Sequence, residues 1–247
     1  MHDHQNYNLL LIVLSYAVSV LGSFTALQLA VMIPLTRTRR QRVAAVLTAG
    51  AVMGVGAIWS MHFIAMLACD MGVQVTYDVS LTALSALMAF VACSVGLWVA
   101  ASGTFSGARL VFGGVCMGFG VVSMHYVGMA AMLVAASMSY DMNIVTGSVA
   151  IAIIASIAAL WLASHMRGAA QLTGSALVMG LAVCGMHYTG MAALHIYDNG
   201  GRLPAGYMDG IHGNNLGMTI FGVVVAVLAI VLVVHHLHQR RRAAIAI

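Results

Sequence analysis

The chain has 247 residues, of which 62% are hydrophobic and 6% charged, against about 25% charged in a soluble domain. That shortage excludes a soluble globular protein, and the hydrophobicity excludes a disordered chain. The net charge of +4 comes from arginines alone, with no Lys present and every acid an Asp; the arginines fall between apolar runs and form no basic face, which excludes nucleic acid as a partner.

In chain order, a polar N-terminus comes first, without the basic segment of a cleavable signal. Seven apolar runs follow at 8–33, 43–68, 79–101, 110–135, 147–166, 172–197 and 216–238, each long enough to span a bilayer as a helix. Alternating polarity is absent, so barrel strands are not expected. The connections fix the orientation. Arg37, Arg39, Arg40 and Arg42 follow the first run, Arg109 lies after the third and Arg167 after the fifth, and Arg240, Arg241 and Arg242 follow the seventh. All six aspartates and Arg202 fall on the other side. The excess of arginine makes its side cytoplasmic. The predicted fold is an all-α membrane protein of seven transmembrane helices, N-terminus outside and C-terminus cytoplasmic, partnered by the lipid bilayer. Cys69, Cys93, Cys116 and Cys184 have no CxxC spacing, so neither a disulfide framework nor a zinc knuckle is indicated. His235, His236 and His238 are read as an interfacial cap on the last helix.

The second, fourth and sixth runs repeat one phrase: Met61 to Met66 (MHFIAM), Met124 to Met129 (MHYVGM) and Met186 to Met191 (MHYTGM). A Met-Gly pair precedes each, at Met53-Gly54, Met117-Gly118 and Met179-Gly180. The unit is therefore two helices long, giving three tandem repeats plus a seventh helix. His62, His125 and His187 fall at one depth near the outer face. His62 precedes Asp70 by eight residues, or ~12 Å of helix. Met66, Met129 and Met191 share a helix face with the histidines at i+4. An ionisable side chain within a span is costly and marks a functional site. Imidazole with thioether, and no carboxylate within the spans, selects copper, Cu(I) above all. The metal set is thus His62, Met66, His125, Met129, His187 and Met191. Further candidates are Met61, Met124 and Met186, and on the adjoining turns Cys69, Asp70, Met132, Cys184 and His195. Methionine is usually core filler; the threefold recurrence with His favours ligands here. Gly114 and Gly118, four apart, permit close helix approach.

Met186-His187-Tyr188-Thr189 is the tetrapeptide MHYT, Met124-His125-Tyr126-Val127 differs at one position, and Met61-His62-Phe63-Ile64 loses the tyrosine hydroxyl. On these phrases, and over nearly its whole length, the chain resembles the bacterial MHYT sensor domain family. The resemblance implies a sensory input module in the bacterial inner (cytoplasmic) membrane. Such a module binds copper through the motif His and Met and senses oxygen, carbon monoxide, nitric oxide, redox state or copper. It also implies signalling to a cytoplasmic output domain, in cis or in trans, commonly one of cyclic-di-GMP synthesis or hydrolysis. Residues 1–238 are expected to form the sensor and 239–247 a basic cytoplasmic tail. No catalytic segment of the GGDEF or EAL type is present, so the chain itself is not expected to be an enzyme. A homodimer is compatible with the sequence. The alternatives are a metal transporter or conduit, which needs donors at several depths, a haem protein with two axial histidines, and a plain membrane anchor.

Overall fold

The computed structural model describes residues 6–72, 74–102, 106–165, 168–213, 215–224, 226–227, 231 and 233. Helix α1 (Leu9–Met32) ends in a 3-10 turn, Ile33–Leu35. Helix α2 (Arg39–Ala51) opens on a capping box in which Thr38 and Gln41 satisfy each other's backbone N–H. It runs through a π-helical stretch, Val52–Trp59, into α3 (Ser60–Ala68) as one span. Then come α4 (Val79–Ala100), α5 (Gly107–Ala130), α6 (Met142–His165) and α7 (Ala169–Ala192). Among the described residues, six spans are long and apolar enough to cross a membrane. Of the seventh run, the helix Asn215–Val224 is described. It buries Leu216 and Ile220 in the core, and Gly217 lies near Leu67 of α3. Asp3, Arg167, His235, His236, His238 and Arg240–Arg242 lie outside the described residues, as does the tail 239–247.

At the end carrying Asp70, Asp78, Asp141, Asp198, Asp209 and Arg202, the connections zip into short antiparallel ribbons. These were not expected from the sequence. Strand β1 (Asn6–Tyr7) pairs with β2 (Cys69–Asp70), β3 (Thr76–Tyr77) with β4 (Met132–Leu133), and β5 (Ala136–Tyr140) with β6 (Leu194–Asp198). Strand β7 (Ile211–His212) adds to the far side of β3. The apolar runs 110–135 and 172–197 therefore overshoot their helices, which end at Ala130 and Ala192. The remaining apolar residues are strand residues with a buried side, such as Met132 and Leu194.

Each ribbon closes one repeat: the strand before the first helix of a unit pairs with the strand after its second. The match is residue for residue. Asn8, Asp78 and Asp141 each donate a backbone N–H to the carbonyl six residues after the motif histidine, on Ala68, Ala131 and Ala193, at 2.8, 2.8 and 2.9 Å. The carboxylates of Asp78 and Asp141 and the amide oxygen of Asn8 then cap the helix that follows. A tyrosine precedes each cap (Tyr7, Tyr77, Tyr140), paired with the residue seven after the histidine.

The units pack in a ring. A side chain at Gly54 would collide with the Ala89 carbonyl on α4, one at Gly118 with Ile153 on α6, and one at Gly180 with Val20 on α1. Each second helix thus lies backbone-close on the first helix of the next unit, the third closing on the first. Gly114, one turn before Gly118, meets Ile157 in the same way. Without a hydrophobic force between helices in lipid, such close approach supplies the association.

One irregularity stands out. Met117 precedes His125 by eight residues and Met179 precedes His187 by eight, but Met53 precedes His62 by nine. An α-helix turns ~100° per residue, so the extra residue would swing Met53 away from its counterparts. The π stretch between them absorbs it. The Ser60 N–H and hydroxyl both bond the Val55 carbonyl, five residues back.

Candidate metal centre

The second helices of the units, α3, α5 and α7, carry His62, His125 and His187 to one point. All three are buried, at 1%, 0% and 0% exposure. His62 Nδ1 lies 2.9 Å from His187 Nδ1 and 3.2 Å from His125 Nδ1. The rings stand edge to face, with centroids 4.9–5.2 Å apart. One ligand nitrogen from each lies within 4.8 Å of the others.

The Nε2 atoms point away from this centre. A Cβ at Gly128 would overlap His62 Nε2, and one at Gly190 would overlap His125 Nε2. Both glycines stand three residues after the histidine of the following unit. The third such position is Ala65, packed with Met61 and Cys184 of α7. None of the three buried Nε2 atoms has a hydrogen-bond partner.

That arrangement has a chemical consequence. A neutral imidazole carries one donor and one acceptor nitrogen. Two Nδ1 atoms, of His125 and His187, at hydrogen-bond distance from that of His62 cannot all be satisfied by protons, and Nε2 finds no acceptor. A cation at the centre would take all three Nδ1 lone pairs at once. The three converging atoms are nitrogens, and the described aspartates all lie at the ribbon end. This set suits a borderline or soft metal and not magnesium or calcium.

An aromatic collar separates the histidines from the ribbon end. Phe63, Tyr126 and Tyr188 each pack edge-on against the ring of the histidine before them, at 4.8–5.0 Å. Each meets a ribbon tyrosine from the next unit: Phe63 meets Tyr77, Tyr126 meets Tyr140 and Tyr188 meets Tyr7, at 5.9–6.1 Å. Burial raises the hydroxyl pKa of all three ribbon tyrosines and of the Cys69 thiol. The collar is anchored on buried serines seven residues after each cap. Tyr126 bonds Ser148 at 2.8 Å, and Ser15 stands against Tyr188 and Cys184. Phe63 has no hydroxyl, and the indole N–H of Trp59, one turn earlier, donates to Ser85 at 3.0 Å instead.

The three histidines are therefore brought together as the repeat implies. Met66, Met129, Met191, Met61, Met124, Met186 and Met132 are all buried, as are Cys69 and Cys184. Asp70 and His195 are exposed ribbon residues, and the Asp70 carboxylate caps the Gly72 N–H. The ribbon tyrosines and their serines were missed in the sequence. Their signal was Tyr followed by Asn or Asp at 7, 77 and 140, and Ser at 15, 85 and 148, recurring with the histidine period.

The family model described as a bacterial signalling protein N terminal repeat, MHYT, matches residues 56–113, 118–176 and 180–246. The bifunctional diguanylate cyclase/cyclic di-GMP phosphodiesterase MucR of Pseudomonas aeruginosa is 38% identical over 96% of this chain and 35% of its own length. The cyclic di-GMP phosphodiesterase NbdA of the same organism is 33% identical over 81% of this chain and 25% of its own. The signaling protein YkoW of Bacillus subtilis is 32% identical over 78% of this chain and 25% of its own. The chain thus spans about a third or less of the length of these relatives. No solved structure matches it significantly.

Proposed function

Because the chain belongs to the MHYT family of bacterial signalling repeats, we propose that it is a membrane-embedded sensory input module that binds copper through His62, His125 and His187. The observation that carries this reading is the convergence of three buried Nδ1 atoms, 2.9 and 3.2 Å apart at the two shortest contacts. Met66, Met129 and Met191, one turn along the same helices, supply the thioether groups that bias an imidazole site toward Cu(I). The arginine-rich end faces the cytoplasm of the inner membrane, which sets the copper centre near the outer face, beneath the aromatic collar.

In this reading a diatomic gas (oxygen, carbon monoxide or nitric oxide), a change of redox state or copper itself alters the centre. The three histidines come from three different units, so a change in their spacing shifts the units against one another. The seventh helix carries the shift inward. Its support is its place beside the first motif span, with Gly217 near Leu67 and Val227 near Gly56. The output is cyclic-di-GMP turnover by a cytoplasmic domain, as the names of MucR and NbdA suggest. The chain itself contributes sensing and no catalysis. Elemental analysis of purified protein tests this reading: copper is expected in the wild type and one equivalent less after the three His→Ala changes, and copper-free wild-type protein overturns it. Haem is less well served, because three rings crowd one point and leave no room for a macrocycle between two of them; a Soret band would reverse that choice.

A further inference from the structure

Inward of the histidine centre the methionines of the three Met-Gly pairs reach a common cavity. Met53, Met117 and Met179 all line it, one from each unit, together with Met186 and the serines Ser23 and Ser156. All three methionines are buried. The cavity measures about 30 Å3, room for an ion or one to two water molecules. Met117 and Met179 stand eight residues before their histidines, or ~12 Å along the helix.

We propose that Met53, Met117 and Met179 form a second soft-metal site, selective for a monovalent d10 cation such as Cu(I) or Ag(I), stacked on the bundle axis inward of the histidines. Two observations point there. Equivalent methionines from three units line one cavity, where ordinary core filling would be served as well by leucine. The unit with one residue too many between Met and His restores the register with a π bulge, a costly device that recurs at functional sites; without it Met53 would turn away from the cavity. Three thioethers with hydroxyls nearby and no charged group favour a soft monovalent ion over zinc or a hard divalent ion. The proposal does not rest on the histidine site.

The test is a titration of the full chain in detergent with Ag(I), and with Cu(I) under reducing conditions, followed by X-ray absorption at the metal edge. Four proteins are compared: wild type, Met53→Leu/Met117→Leu/Met179→Leu, His62→Ala/His125→Ala/His187→Ala, and the combination of the two. Met→Leu conserves volume and is well tolerated in cores. The histidine variant is expected to retain one equivalent with a sulfur-only shell, and the methionine variant to lose one equivalent relative to wild type. Wild-type protein that binds a single equivalent lost only in the methionine variant supports this site and removes the histidine reading. Equal stoichiometry in wild type and the methionine variant, or no sulfur scattering in the histidine variant, overturns the proposal.

Discussion

His62 Nε2 rests on the backbone of Gly128, three residues beyond the motif histidine of the next unit. His125 Nε2 rests on Gly190 in the same way. The glycine in MHYxG is therefore a seat for the neighbouring unit's histidine. Gly128→Ala or Gly190→Ala pushes a methyl group into the ring, at about 1–3 kcal/mol of overpacking. Copper affinity is expected to fall at least tenfold in either variant. Gly185→Ala, on α7 with open space around it, is the control and leaves both affinity and thermal stability intact or slightly improved.

The collar's hydroxyls make a separate contribution. Tyr126→Phe removes the bond to Ser148 and is expected to cost about 0.5–1.5 kcal/mol. Adding Ser148→Ala to it costs less than the sum of the two, because the bond is already lost. A double-mutant cycle by thermal unfolding in detergent checks this. Trp59→Phe has the matching effect at Ser85, since Phe63 provides no hydroxyl there.

The ribbon tyrosines predict an alkaline limit. Tyr77 is 2% exposed, and burial raises its folded-state pKa above the ordinary value of 10.0. A group whose folded pKa is raised contributes stability that is complete below the unfolded pKa and lost as pH climbs toward the folded one. Stability is therefore flat with respect to this group up to about pH 10 and declines above it. Tyr77→Phe flattens that decline, as measured by melting temperature across pH 8–11.

The register of the first unit is open to a direct test. Deleting one residue from the π stretch, such as Ile58, gives Met53 and His62 the eight-residue spacing of the other units. The protein is expected to fold with a regular α-helix there, to keep its copper, and to lose the Val55–Ser60 five-residue bond. Hydrogen exchange at Ser60 and metal stoichiometry report both.

Much of this architecture could be read from the residues. The spans follow from runs such as 43–68, where apolar length alone demands a helix, and the triad follows from a histidine recurring every 62 or 63 residues in otherwise chargeless helices. The ribbons could not be read this way. Two-residue strands such as Cys69–Asp70 carry no period, and Met132–Leu133 and most of Leu194–Asp198 lie inside apolar runs that hydropathy assigns to helices. Nor could hydropathy order the candidate ligands. Asp70 and His195 lie at plausible helical spacing from the motif, yet the helices end at Ala68 and Ala192, so both turn outward with the ribbons. The glycine seats and the π bulge depend on contacts between units, which no single helix encodes, although the nine-residue Met53–His62 spacing was visible.

The central claim is that three histidines from three repeats hold one copper ion. The most direct measurement is copper-edge X-ray absorption on purified protein, beside the single and triple His→Ala variants at His62, His125 and His187. A copper ion with imidazole nitrogen scattering, weakened at least tenfold in affinity by each single change and lost in the triple, is the predicted result. Nitrogen-ligated copper that survives the triple change, or a wild-type protein that takes up no copper, would contradict it.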